Sequence, residues 1–306
     1  MLTLGLVLSS QLMSASLQAA PKFVRQIGPI VSKEESFSGP FGVSLSNNGD
    51  LLVADDLGHV IFVLSPDGML IRKLDCRGER PGCFSFLDAV LQGPDDLLYV
   101  ADTGNNRIQI LRADGSPLDE IKHWNLFLGG FSNPRDLVID EQGRILVADW
   151  GNHCIRVFSS EGEYLTSYGK EGQQPGELKN PISLVLGQNQ FVYVSDFANH
   201  RIQVFDGNGK FLFGFGSEGK EPGQFINPAG LAVDGSGRLF VVDRGNSRVQ
   251  VFSPNGDYLW TFGTEGNGDM QFSRPTDIAV SQQQVAFVVD QGHQRIQVID
   301  LYSSNQ

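Results

Sequence analysis

The chain is expected to fold as an all-β, six-bladed β-propeller of four-stranded antiparallel blades, closed by an N-terminal strand that completes the last blade. Three observations predict this. An apolar run ending in aspartate recurs at Asp55, Asp102, Asp149, Asp196, Asp243 and Asp290, always 47 residues apart, and copies at one fixed period mark a repeat architecture. Within each copy, four short runs are separated by turn residues, which is the pattern of a propeller blade. The sixth copy stops near Tyr302, before any fourth run, while Phe23-Val24-Arg25-Gln26-Ile27 at the other end has the character of the missing one.

Residues 1–20 read as a secretory signal peptide or a disordered N-terminal extension. Leu2, Leu4, Leu6, Val7 and Leu8 form an apolar run, and Ser14, Ala15, Ser16, Ala19 and Ala20 supply small residues after it. No Lys or Arg precedes the run, and Pro21 would follow a cut after Ala20. The signal-peptide reading implies a secreted or periplasmic protein, and the extension reading a cytoplasmic one.

Residues 21–306 are assigned to the propeller, and the third copy serves as a ruler for it. Asn133–Asp140 is an apolar run that opens on Pro134, a residue suited to the first position of a strand. Glu141-Gln142-Gly143-Arg144 is a turn, and Ile145–Asp149 a second strand. Trp150-Gly151-Asn152-His153 is a second turn, Cys154–Phe158 a third strand, and Glu163–Tyr168 a fourth after Ser160-Glu161-Gly162. A polar linker from Lys170 to Lys179 leads to Pro181 of the next copy. Pro40, Leu87, Pro134, Pro181, Pro228 and Pro275 stand fifteen residues before the aspartates, and Phe37, Phe84, Phe131, Leu178, Phe225 and Phe272 eighteen before. Gly28 lies five periods before Gly263, which places Phe23–Ile27 in the register of a fourth strand and removes an exposed edge.

Composition narrows the function classes. With 41% hydrophobic and 19% charged residues the chain has ample core. A net charge of −12 opposes binding to a phosphate backbone, so nucleic acid is not an expected partner. No stretch has the ~20 apolar residues of a membrane span, and a monomer is expected.

The motif strand-Asp-x-Gly-Asn-x-Arg-Ile-Gln-Val-Phe, with a linker Phe-Gly-x-x-Gly-x-x-x-Gly-x-Phe, resembles the NHL repeat. Asp102-Thr103-Gly104-Asn105-Asn106-Arg107-Ile108 and Asp243-Arg244-Gly245-Asn246-Ser247-Arg248-Val249 carry the first part, and Phe215 to Phe225 the linker. The resemblance spans about residues 22–302 and implies a six-bladed propeller. For function it is permissive, since NHL relatives include partner-binding and RNA-binding modules of ubiquitin ligases, bacterial sensor domains and a few metal-dependent lyases. With only three Cys, this chain holds no RING or B-box cluster of its own. The lyases place a metal-binding His at the start of inner strands. Here those positions read Phe41, Asp88, Arg135, Ile182, Ala229 and Thr276, followed by Gly42, Ala89, Asp136, Ser183, Gly230 and Asp277, with no histidine.

The candidate residues fall into four groups. The repeated aspartates are expected to be structural, accepting N–H bonds and pairing with the arginine five residues on: Arg107, Arg201, Arg248 and Arg295. Val60 and Cys154 occupy that position in blades 1 and 3, which are expected to lack the pair. His59, His153 and His200 share one repeat position, which places them in separate loops and argues against joint zinc binding. Asp88, Asp136 and Asp277 are expected near the central channel mouth, as a polar rim or a ligand or calcium site; otherwise no cofactor and no resident metal are expected. Cys76 and Cys83 bracket a short linker and would form a disulfide in an oxidising compartment. Trp150 and Phe197 follow their aspartates on adjacent blades, and Trp124 and Phe127 interrupt the Gly-rich linker pattern. Exposed aromatic groups of this kind mark interfaces. The expected function is therefore a non-enzymatic protein- or peptide-binding scaffold that uses the face bearing Trp124, Phe127, Trp150 and Phe197. The alternatives are a metal-dependent hydrolase or lyase at the channel mouth, or an RNA-binding or ligase-associated module.

Overall fold

Alternation of apolar and polar residues, broken every few positions by a turn, folds each repeat into one antiparallel sheet. In a computed structural model that describes residues 20–30, 32, 35–122, 129–188 and 190–302, six four-stranded sheets form. Blade 1 runs through Pro40–Leu45, Leu51–Asp55, Val60–Leu64 and Leu70–Asp75. The inner strands of blades 2 to 6 are Ala89–Gln92, Pro134–Ile139, Pro181–Leu186, Pro228–Val233 and Pro275–Val280. No helix among the described residues is long and apolar enough to cross a membrane.

The last blade is assembled from both ends of the described chain. Lys22–Ile27 pairs antiparallel with Arg295–Asp300, with Phe23 opposite Ile299 and Ile27 opposite Ile296. Gly28 confirms the register. It has φ +88°, and a Cβ there would stand 2.6 Å from the Phe37 ring, as one on Gly263 would stand 2.3 Å from Phe272. In both blades the chain leaves its outer strand in a left-handed conformation pressed against the next blade's phenylalanine, which only glycine accommodates.

The core lies between blades rather than within them. Each second and third strand is buried along almost its whole length, because its two faces meet two different neighbours. In blade 4, Val192, Val194 and Phe205 pack on Leu146, Ala148 and Ile155 of blade 3. Tyr193, Ile202 and Val204 pack on Leu231, Leu239 and Val241 of blade 5. The linker residues Phe37, Phe84, Phe131, Leu178, Phe225 and Phe272 are all buried wedges in these interfaces.

Five of the inner strands start with a register irregularity just after their first residue, as between Pro134 and Asp136 or Pro275 and Ile278. The turn after each aspartate then bonds to the linker preceding its own blade, for example Gly151 N–H to Ser132 O and Gly245 N–H to Ile226 O. These turns and the inter-blade linkers therefore share one face, around one mouth of the central channel.

Candidate functional site

The mouth stands on a frame of buried ion pairs. All six repeat aspartates are 0% exposed. Asp102 takes Arg107 Nε at 2.7 Å, Asn105 Nδ2 at 2.9 Å, Gln109 Nε2 at 3.0 Å and the Ser85 N–H at 2.8 Å. Asp196 with Arg201, Asp243 with Arg248 and Asp290 with Arg295 repeat the pair at 2.7–2.8 Å. The expectation that blade 3 lacks a cation is corrected. Arg156, seven residues after Asp149, holds it at 2.5 Å from the position where other blades carry glutamine. Residues five and seven on lie on the same strand face, so either can reach the carboxylate. Asp55 of blade 1 instead accepts three backbone N–H bonds, from Ser38, Gly39 and Gly58, and burial raises its pKa.

The histidines are fasteners as well. His59, His153 and His200 occupy the left-handed region at φ 55–56°. Each Nδ1 accepts a backbone N–H from the next blade, that of Phe86, Asn180 or Asn227. His293 lies 2.9 Å from Asp290. Cys76 and Cys83 are joined by a disulfide, and Cys154 is a buried thiol. Trp124 and Phe127 lie outside the described residues.

At the centre of the mouth is Arg135. Its guanidinium bonds Asp88 of blade 2 at 2.6 Å, lies 5.7 Å from the ring centroid of Phe41 in blade 1, and lies 5.3 Å from that of Trp150 in its own blade. It therefore reaches across the channel opening. Around it stands the ring of residues that follow the aspartates: Asp56, Thr103, Trp150, Phe197, Arg244 and Gln291. Trp150 and Phe197 are half-buried and lean on the cluster of Phe41, Ile182 and Ala229. They form an aromatic wall on one side of the opening rather than standing clear of the face. Next around the ring after Phe197 comes Arg244, which donates to Gln291 at 3.3 Å.

Asp88, Asp136 and Asp277 line one small space beneath Arg135, and below it an apolar channel of about 230 Å³ runs between the inner strands. Asp88 is held directly under Arg135 and is buried, whereas Asp136 and Asp277 also line the channel below. Asp136 and Asp277 sit one ring deeper and tie neighbouring blades together. Asp136 accepts the Ser183 hydroxyl and the Leu184 N–H, and Asp277 accepts the Val43 N–H at 2.8 Å. Ser183 in turn accepts the Leu231 N–H. Three polar members of this ring thus satisfy N–H groups beside the strand irregularities. Among the described residues, no three His, Cys, Asp or Glu side chains come together as a metal-holding group.

Burial shifts these carboxyls. Asp88 is pushed up to about 7 by desolvation, with Arg135 opposing and Asp56 adding to the rise. Asp136 is pushed to about 6 by burial against its three hydrogen bonds. Asp277 is raised well above its ordinary value by burial and then by Asp136. All three folded-state values lie above the unfolded one, so between about pH 4 and pH 7 the native state binds more protons, and stability falls as pH rises through that window. Asp277→Asn keeps an oxygen for the Val43 N–H and removes the charge. It is expected to raise Tm at pH 8 by roughly 2–4 °C, the effect of about 1 kcal/mol in a large domain, and to leave Tm at pH 4 unchanged. Thermal melts at the two pH values check this, and an equal shift at both would show that charge is not the cause.

The comparisons with known proteins agree with this geometry. The NHL-repeat profile matches residues 131–158, 178–205 and 225–252, which lie in blades 3, 4 and 5. No curated protein matches significantly. Among solved structures, virginiamycin B lyase from Staphylococcus aureus superposes with TM-score 0.65 at 12% identity, over 92% of this chain and 99% of that one. A putative gluconolactonase gives 0.67 at 14% identity, over 90% and 92%. An auxiliary nutrient binding protein from Bacteroides thetaiotaomicron gives 0.67 at 14% identity, over 86% and 69%. At such identities the likeness is one of fold. Three profile-matched repeats, within six blades built on one aspartate frame, make this chain an NHL-repeat β-propeller.

Proposed function

We propose that this propeller is a binding module that receives a protein or peptide partner on the face around Arg135, Trp150 and Phe197. The observation that carries the reading is the aromatic wall. Trp150 and Phe197 stand on adjacent blades at a repeat position filled by Asp56, Thr103, Arg244 and Gln291 elsewhere. The fold does not require aromatic residues there, because four blades close without them. Half-buried aromatic groups at the rim of a concavity are the usual anchors of a protein interface. The frame beneath supports the same reading, since the aspartates, arginines and histidines that would otherwise suggest chemistry are occupied in joining blades.

Partner capture on wild type and on a Trp150→Ala/Phe197→Ala variant tests this, with circular dichroism to show that the variant is folded. The expected result is a partner whose affinity falls about 30-fold or more, the equivalent of about 2 kcal/mol at an interface anchor. Equal recovery on both baits would reduce the aromatic wall to packing.

One observation favours a second reading, an enzyme with its site in the channel. Burial pushes the Asp88 carboxyl up to about 7 and that of Asp136 to about 6 beside one small space, the kind of shift found in general acids and bases. Stoichiometric calcium or zinc in purified protein would move the balance toward a metal-dependent hydrolase or lyase.

A further inference from the structure

The mouth is asymmetric in charge as well as in shape. Two of its arginines depart from the pattern of the repeat. Arg244 occupies the position after the aspartate. Arg274 precedes the inner-strand proline, where the other blades carry Gly39, Phe86, Asn133, Asn180 and Asn227. Residues at repeat positions that differ from their counterparts are not needed to build a blade, because the other blades are built without them.

Their surroundings set them apart from the arginines that hold the blades together around the mouth. Arg135, Arg201 and Arg248 each hold a carboxylate within 2.8 Å. Among the described residues, no carboxylate pairs with Arg244 or Arg274. Arg244 is half-buried, with one bond to the neutral Gln291, and Arg274 is exposed at the rim. The acid whose charge acts on Arg244, Asp88, is occupied by Arg135 on one oxygen. Burial, followed by the like charges of Arg274 and Arg135, holds the Arg244 guanidinium below its ordinary pKa, against the pull of Asp88. A half-buried cation beside two others, without its own anion, is an unfavourable arrangement that a bound anion would relieve.

We propose that Arg244 and Arg274 form an anion anchor that takes a carboxylate of the partner, with an apolar group next to it lying against Phe197 and Trp150 on the neighbouring blades. This rests on the binding-module reading and names the chemistry its ligand carries. Two guanidinium forks suit the planar, two-oxygen geometry of a carboxylate. The net charge of −12 opposes a long polyanion, whose binding depends on many phosphate contacts, but not a single carboxylate at a local pair of arginines. A free C-terminus and an acidic side chain present the same group, and the test separates them.

The experiment follows the arginine Nε–H and tryptophan indole resonances of the full chain by NMR during titration. The probes are N-acetylphenylalanine, its amide, and N-acetylaspartic acid α-amide. The variants take residues the other blades use: Arg244→Gln as in Gln291 and Arg274→Asn as in Asn227, so a blade's own tolerance protects the fold. The expected result is saturable shifts of Arg244 and Arg274 with both acids at concentrations on the order of 10 mM, weakened at least ten-fold in the double variant and for the amide. Tighter binding of N-acetylphenylalanine assigns the anchor to a C-terminus, and tighter binding of the aspartic derivative to a side chain. Equal binding of acid and amide, unchanged binding by the double variant, or no saturable shift would overturn the proposal, as would a stronger shift of the same resonances with single-stranded RNA. The titration uses no partner and leaves Trp150 and Phe197 intact, so its failure is separate from failure of the aromatic-wall test.

Discussion

Replacing Arg107 by alanine is expected to lower the stability of the propeller by about 3–5 kcal/mol, the range for removing one partner of a buried ion pair. Arg107 is 0% exposed and reaches two carboxylates and two carbonyls at once. It pairs with Asp102 at 2.7 Å and Glu120 at 2.7 Å, and donates to the carbonyls of Cys83 and Arg80. The alanine variant leaves Asp102 charged in a fully buried site, takes one donor each from the Cys83 and Arg80 carbonyls, which keep only Gln109 Nε2 and the Cys83 N–H, and opens a void of the guanidinium's size. Arg107→Lys is expected to recover little, because one ammonium cannot reach acceptors spread around a planar fork. Arg248→Ala is the internal comparison: its side chain is 14% exposed, so water can enter and stabilise Asp243. Its cost is expected to be about 1–3 kcal/mol. Urea unfolding at constant m-value measures both. Equal costs at the two sites would mean that burial does not set the worth of these pairs.

That contrast shows what the sequence made legible. The 47-residue period located the four-stranded blades, the closing strand and the aspartate–arginine pairs five residues apart, because all of these obey the repeat, but not the short parallel pair of Thr264–Glu265 with Gln271–Phe272 in the linker before blade 6. Arg156 was missed because it serves the same carboxylate from two residues further on. The signal was present, since the blade that loses its arginine to Cys154 is the one that gains an arginine at a glutamine position. The histidine bonds were not legible in the same way. Their acceptor role requires the left-handed turn conformation and a donor from the next blade, 27 residues on. Asp136 and Asp277 read as rim residues because their position near the start of a strand fixes only approximate height in the channel. The strand irregularity beside them creates the N–H group they bind. Arg135 escapes the periodic pattern altogether, since a side chain that crosses the opening to Phe41 contacts a blade two away from its own. Departures of this kind, rather than the shared motif, distinguish the mouth of this propeller from any other built on the same repeat.

Removal of residues 20–27 is expected to be the most damaging change available at either end of the described chain. The segment supplies the outer strand of blade 6, pairing from Lys22 with Asp300 to Ile27 with Ile296. Ile27 is 4% exposed in the cluster that joins blades 6 and 1, and its loss alone corresponds to about 2–5 kcal/mol. Arg295 loses Gln26 at 2.8 Å, and Arg25 no longer reaches Pro66 of blade 1. The strand Arg295–Asp300, which otherwise lies inside a sheet, becomes an open edge ready to pair with another chain. Together these predict a fall in Tm of about 10 °C or more, accompanied by concentration-dependent aggregation. Ile27→Ala separates packing from closure, because it empties the same core site while leaving the strand and its main-chain bonds in place. It should melt at an intermediate temperature without aggregating. Adding a peptide of residues 20–30 to the truncated protein should recover part of the lost Tm in proportion to peptide concentration, as a ligand specific for the native state does. If the truncated protein melts with the full chain, blade 6 is stable on three strands, and the ring is held by the packing between blades alone.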